Sequence, residues 1–233
     1  MAATPSVTKA FEINVPNISY SSQPKILDNG GKMVWIAYNN SPLIVQLPTM
    51  KAPFGVSRWC DDKGNVEKYS LDLSFGGSSD KVAKTLEIFK SLDMKILQDG
   101  MDNSMNWFKK KYTSVEVMEA LYYPIVRQPK EEKYSPTIKL PLAFGDGTFK
   151  FNAFDNNKNK IDLLDVNTKG VDVTAIIQCT GLWIAGGKFG CSWKVQQLRL
   201  TPRATLPDYA FVDDDEEVDA PVGRQYLSDD DDL

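Results

Sequence analysis

Apolar and polar residues alternate along VEKYSLDLSF (66–75), which puts Tyr69, Leu71, Leu73 and Phe75 on one side and predicts a half-buried strand. From Asp80 the apolar step lengthens to three or four residues (Val82, Leu86, Phe89, Ile96). A helix therefore follows, with Ser79 or Asp80 as N-cap and Gly100 just past its end. A second helix is signalled by Thr113-x-x-Glu116, a capping box in which each side chain can satisfy an orphan amide, and it stops before Pro124. Runs rich in β-branched and aromatic residues occur earlier at MVWIAY (33–38) and LIVQL (43–47), with NNSP between them as a hairpin turn. After a charged loop at 127–136, TIKLPLAF, TFKFNAF, VDVTAIIQCTGLWIA and KFGCSWKVQQLRL supply the remaining strands. The last two are joined by GGKFG, whose glycines permit the positive φ of a tight turn.

Strands, then helices, then strands again predict a mainly β protein: an OB-fold-like Greek-key barrel of about five or six strands with interposed helices. A doubly wound sheet would need helices between most strands, and a two-sheet sandwich is the structural competitor. Residues 1–30 mix Pro5, Pro16 and Pro24 with Ser and Asn and predict an irregular N-terminal arm with one strand at Ala10 to Val15. Residues 31–207 form the domain, and 208–233 read as a disordered acidic C-terminal tail.

Charge sharpens this division. The formal net charge of the 233 residues is only -4, yet residues 208–233 hold eleven acids and one base, while residues 1–207 hold 26 bases and 20 acids. A basic body joined to an anionic tail favours polyanions such as nucleic acid. There is no histidine, which removes the commonest general base and metal ligand and weighs against an enzyme. Cys60, Cys179 and Cys191 form no CxxC pair or even framework, so neither a disulfide scaffold nor a zinc site is expected, and a reducing intracellular setting fits. The N-terminus lacks an apolar signal region and no run of eighteen apolar residues exists, so no membrane association is expected.

Two partial motifs dissolve on inspection. DNNKNKIDLLDV (155–166) starts like a calcium loop, but Lys160 stands where the sharp turn needs glycine and Val166 where the cation needs a bidentate glutamate. GLWIAGGKFG misses the phosphate-loop spacing by one residue and leads into a strand, leaving no helix N-terminus behind a phosphate. Polar and glycine-rich hairpins are expected at both places, with no metal and no cofactor.

Cations interleaved with aromatics are a different matter. WFKKKY (107–112) alternates Trp107 with Lys109, Lys110 and Lys111, and similar pairings recur at Arg58 with Trp59, at Lys150 between Phe149 and Phe151, at Lys188 with Phe189, and at Trp193 with Lys194; Arg199 adds a cation late in the last strand. Lysine and arginine neutralise phosphates, while ring faces stack unpaired bases whatever their identity. Neighbours along a strand point to opposite faces, so these residues do not all enter one groove, and burial is the ordinary fate of any one ring.

The tail ends in SDDDDL, where Asp229, Asp230, Asp231 and Asp232 precede the terminal Leu233. A flexible coil of this length reaches roughly 28 Å, against a body radius of gyration of about 17 Å, so it spans to a basic groove on its own domain or a partner's. Carboxylates imitate phosphates and compete for such a groove; solubility alone would not require an apolar end.

The segment GGKFGCSWKVQQLRL (186–200), together with the SDDDDL end, resembles the single-stranded DNA-binding proteins of T7-type phages and, more closely, their counterparts in large eukaryotic DNA viruses such as algal viruses. The resemblance extends loosely over residues 33–200, though the phage proteins finish on an aromatic residue and this chain on Leu233. It implies a non-enzymatic protein that coats single-stranded DNA during viral replication, recombination and repair, in the host nucleus or a cytoplasmic viral replication compartment. It also implies Lys188, Phe189, Trp193 and Lys194 at or near the groove, and a tail that occupies the groove until DNA displaces it and then docks replication proteins such as a polymerase or helicase. A homodimer with exchanged tails is compatible with the reach of the tail. The alternative is a viral structural or chaperone-like β-sandwich protein that makes no DNA contact.

Overall fold

A computed structural model describes residues 6–63, 66–201 and 211. By its internal contacts the chain divides into Met1–Arg203 and Ala204–Leu233. The tail residues Asp229 to Leu233 lie outside the described residues.

In chain order the main strands are β1 (Lys32–Val34), β2 (Ile36–Tyr38), β3 (Ile44–Gln46), β4 (Val56–Cys60) and β5 (Val66–Ser74), then β6 (Thr137–Leu142), β7 (Asn152–Phe154), β8 (Asp172–Ala185) and β9 (Lys188–Thr201). Helices α1 (Asp80–Asp102), α2 (Ser104–Phe108) and α3 (Val115–Leu121) are interposed between β5 and β6. The fold is thus mainly β and OB-fold-like, as expected. No helix among the described residues is long and apolar enough to cross a membrane.

The hairpin β8–β9 is the spine. Its register runs from Asp172↔Thr201 to Ala185↔Lys188, closed by Gly186 and Gly187 at φ 57° and 74°, the doubly positive pair that matches the twist of a two-residue hairpin. Three short segments, Met50–Lys51, β3 and β1, line up along the free edge of β8, and β7 runs parallel to β9. A second group pairs β4 and β6 antiparallel to the two edges of β5, and Val126–Arg127 pairs with β6. Met50–Lys51 bridges the groups by pairing with β5 as well. The period-2 pattern of β5 is realised: Tyr69, Leu71 and Leu73 are buried, as are Ile138, Leu140 and Leu142 opposite them. Helix α1 lays Val82, Phe89, Leu92 and Ile96 into the same core, where Phe89 stacks on Trp193 with ring centroids 5.8 Å apart.

Four local expectations change. Ala10 to Val15 is no strand: Ala10–Glu12 and Val15–Asn17 are 3-10 turns, because Pro16 presets helical φ in the second and burial of Ala10 and Ile13 needs a three-residue step. The NNSP hairpin exists, with Asn39 and Asn40 at φ 50° and 61°, but it pairs Ala37–Tyr38 only with Ser41–Pro42. Proline cannot extend the ladder, and β3 pairs with β8 instead. Gly100 lies inside α1 because a Cβ there would stand 3.0 Å from the Met118 Cε and 3.4 Å from the Phe189 ring. The cap of α3 is Ser114 rather than Thr113: its Oγ accepts from the Val117 amide at 3.3 Å and donates to Glu116 Oε2 at 2.5 Å.

Asp93 ties α1 to the sheet. Its buried carboxylate accepts from Tyr122 Oη at 2.6 Å and from the Ile125 and Val126 amides at 2.8 and 3.1 Å, which hold the segment that leads into Arg127.

Candidate nucleic-acid interface

Strand alternation dictates which side chains leave the core. Ser57↔Ser70 and Trp59↔Lys68 are cross-strand pairs, so these four share the outward face of β4–β5. On β6 the residues between Ile138, Leu140 and Leu142 are Lys139 and Pro141, and Lys139 is exposed. Across the curled sheet, Trp183 pairs with Gly190 and Lys194 with Gln178 on the outward face of β8–β9. These faces meet in a groove of about 860 Å³.

Five cations line the groove, Arg58, Lys68, Arg127, Lys139 and Lys194, and among the described residues no carboxylate does. Among the described residues none of the five is in an ion pair. Rings come with them. Trp59 is 55% exposed and the Lys68 ammonium stands 5.7 Å from its centroid; Tyr69 packs against Phe144 at 4.7 Å; and Trp183 rests 5.5 Å from Tyr123, itself 54% exposed. A Cβ on Gly190 would come within 2.9 Å of the Tyr123 carbonyl and 3.2 Å of Trp183, so only glycine lets that indole lie flat over β9. Cys191 borders the groove too; the adjacent Cys179 thiol, 4.0 Å away, and burial push its pKa up.

Of the residues singled out in the sequence, Arg58, Trp59, Trp193 and Lys194 come together here. Trp193 contributes as floor: it is 6% exposed, and its Nε1 has no hydrogen-bond partner. Trp107 and Phe189 are corrections, since both are buried in the core beneath α2 and present no face to a base. Lys109, Lys110 and Lys111 are exposed at the end of α2 but do not line the groove; Lys109 adopts φ 60° and Lys110 covers Tyr112. Lys150 donates to Asp146 at 2.8 Å. Lys188 donates to the Ala120 carbonyl at 2.8 Å and sits over Tyr123, which places it beside the Trp183 end of the groove. Arg199 lines a separate hollow.

Lys68, Arg127, Lys139, Phe144 and Trp183 escaped the sequence reading. Lys139 alternates with the buried Ile138 and Leu140, and only pairing with β5 shows which face it joins. Asp155 turns its carboxylate to the Asn159 amide and Nδ2 at 2.9 and 3.0 Å in a plain hairpin, and among the described residues no group of three acids or cysteines could hold a metal.

The single-stranded DNA-binding protein of bacteriophage Enc34, solved in complex with single-stranded DNA, is similar over 78% of this chain and 96% of its own at 8% identity and a TM-score of 0.45. The single-stranded DNA-binding protein gp2.5 of bacteriophage T7 is similar over 81% of this chain and 100% of its own at 11% identity and a TM-score of 0.44. No curated protein matches the chain by sequence. Residues 76–213, more than half of the chain, match the model of one family, and the chain therefore belongs to the family of unknown function DUF5871.

Proposed function

We propose that this chain binds single-stranded DNA with little sequence preference, laying the strand in the groove between β4–β5–β6 and β8–β9. The single observation that carries this is the lining: among the described residues, five cations in no ion pair and no carboxylate beside the exposed face of Trp59. Cations neutralise phosphates of any polynucleotide, but an exposed indole gains about 1 to 3 kcal/mol only from a base that is unpaired and free to stack. Nothing in the groove recognises a base edge with a bidentate amide, in keeping with sequence tolerance.

On this reading the acidic residues 208–233 act as a competing ligand for the same cations. When DNA displaces them, Asp229 to Asp232 and Leu233 become free to recruit replication proteins such as a polymerase or helicase, so that the protein serves viral DNA replication, recombination and repair inside the host cell. Opposite charge on body and tail supports this, as does the reach of a coil of that length.

Titration of fluorescent oligo-dT with the full chain and with a truncation after residue 207 tests it. The truncation is expected to bind more tightly and with a steeper salt dependence, because it loses an internal competitor that salt also weakens. Weak binding, unchanged by truncation, would instead favour a structural or chaperone-like protein.

A further inference from the structure

The outward face that forms one wall of the groove does not end there. A bulge between Ile176 and Ile177 adds Gln196 to β9, so Lys194, Gln197 and Arg199 all point outward despite their uneven spacing. Their cross-strand partners Gln178, Ile176 and Thr174 share this face, and a Gln196–Gln178 hydrogen bond of 2.8 Å spans it. Gln197 and Arg199 are exposed. About 16 Å from Lys194, at the rise of a strand, the face arrives at Arg199.

Two adjoining hollows of about 330 and 270 Å³ meet at Arg199, sharing it with Gln46 and Thr174. Among the described residues the Arg199 guanidinium donates one weak bond, to Thr174 Oγ1 at 3.4 Å. On one side Phe154, the parallel neighbour of Arg199, presents a half-buried ring. On the other, the ammonium groups of Lys9 and Lys81 stand 5.8 and 5.7 Å from the Phe11 ring. Carboxylates are present at the margins: Asp155 borders the larger hollow, held by Asn159, Glu12 pairs with Lys9 at 3.2 Å, and Asp172 stands at the start of β8. Arg199 and Lys81 are in no ion pair among the described residues.

We infer that a polynucleotide strand long enough to leave the groove continues along the outer face of β8–β9 to a second phosphate subsite formed by Arg199 and Lys81 beside Phe11. The occupant is set by continuity and charge: what leaves the groove past Lys194 is a phosphate backbone, and the outward face leads it to two cations in no ion pair among the described residues. This rests on the groove reading and extends it from a cleft to a track.

The test uses the full chain and oligo-dT of about 6 and about 20 nucleotides, bracketing the roughly 4 to 16 that one OB fold covers. Lys81→Gln with Arg199→Gln is expected to weaken the longer oligomer about tenfold, through two lost phosphate contacts, and the shorter by less than about twofold. Trp59→Ala with Lys139→Gln, in the groove, is expected to weaken both. An unchanged affinity for the longer oligomer, or equal loss on both lengths, overturns the second subsite while leaving the groove in place. Wild-type protein that binds neither length overturns the groove reading and the track with it. Should the double variant prove unstable in a thermal melt, Lys81→Gln alone decides, because that exposed lysine sits in the first turn of α1; a length-selective loss supports the track and none refutes it.

Discussion

Lys68 and Trp59 face each other across β4 and β5, the ammonium 5.7 Å from the ring centroid, and both look into the cationic groove. The lysine steadies the indole by cation–π attraction while leaving its other face to solvent. Trp59→Ala is expected to weaken single-stranded DNA binding by about 1 to 3 kcal/mol, the worth of one stacked base. Trp59→Phe should retain most of the affinity, since a face rather than a hydrogen bond is required. Fluorescence anisotropy measures both, and since Trp59 is 55% exposed the melting temperature should barely move.

Lys139 and Arg127 lie on neighbouring strands, two residues along from the pair Arg127↔Thr137, and neither is in an ion pair among the described residues. Each is expected to neutralise one phosphate. Lys139→Gln and Arg127→Gln should each reduce the slope of log affinity against log salt by about 0.7, the counterion release per contact on a single strand. A series of titrations over salt concentration checks this; a slope that does not change would mean the cation makes no phosphate contact.

Asp93 gives the fold a distinctive pH dependence. Burial raises its pKa from 3.8, outweighing the hydrogen bonds from Tyr122, Ile125 and Val126 that pull the other way. The folded state therefore holds this proton to higher pH than the unfolded chain. Between the two values folding takes up a proton, so the Asp93 contribution to stability falls as pH rises through this window and then levels off. Asp93→Asn should lack this fall. It should also be less stable at neutral pH by about 1 to 3 kcal/mol, since its amide brings a donor to a place that offers only donors. Urea unfolding from acid to neutral pH measures both, and a constant gap between the two proteins would mean that the Asp93 pKa is not raised on folding.

Much of the fold was legible locally. The two-residue alternation of 66–75, the helical step from Val82 to Ile96 and the glycines at 186 and 187 each act through backbone geometry within a few residues, and each appears where the pattern put it. Misreadings arose where distant residues intervened: Gly100 resembled a helix stop, but it is the packing of Met118 and Phe189 against α1 that calls for glycine.

The candidate site divides in the same way. Pairing of cations with aromatics picked out Arg58, Trp59 and Lys194, which line the groove, and also Trp107, Phe189 and Trp193, whose rings are buried in the core. Residue type says that a ring can stack; only burial says whether it has a face left to offer.

What the amino-acid order determined by itself was the β-rich character, the helices interposed after β5, and the opposed charges of body and tail, all of which follow from short-range periodicity or from plain counting. Tertiary structure alone decided that Lys68, Arg127, Lys139 and Trp183 share a groove with Arg58 and Trp59, and that a bulge turns Arg199 to the same outward face as Lys194. The reason is that strand register and sheet curvature are settled by pairing between segments, as of Leu73 with Ile138 or Thr174 with Arg199, and no periodicity within either segment encodes which face will meet which.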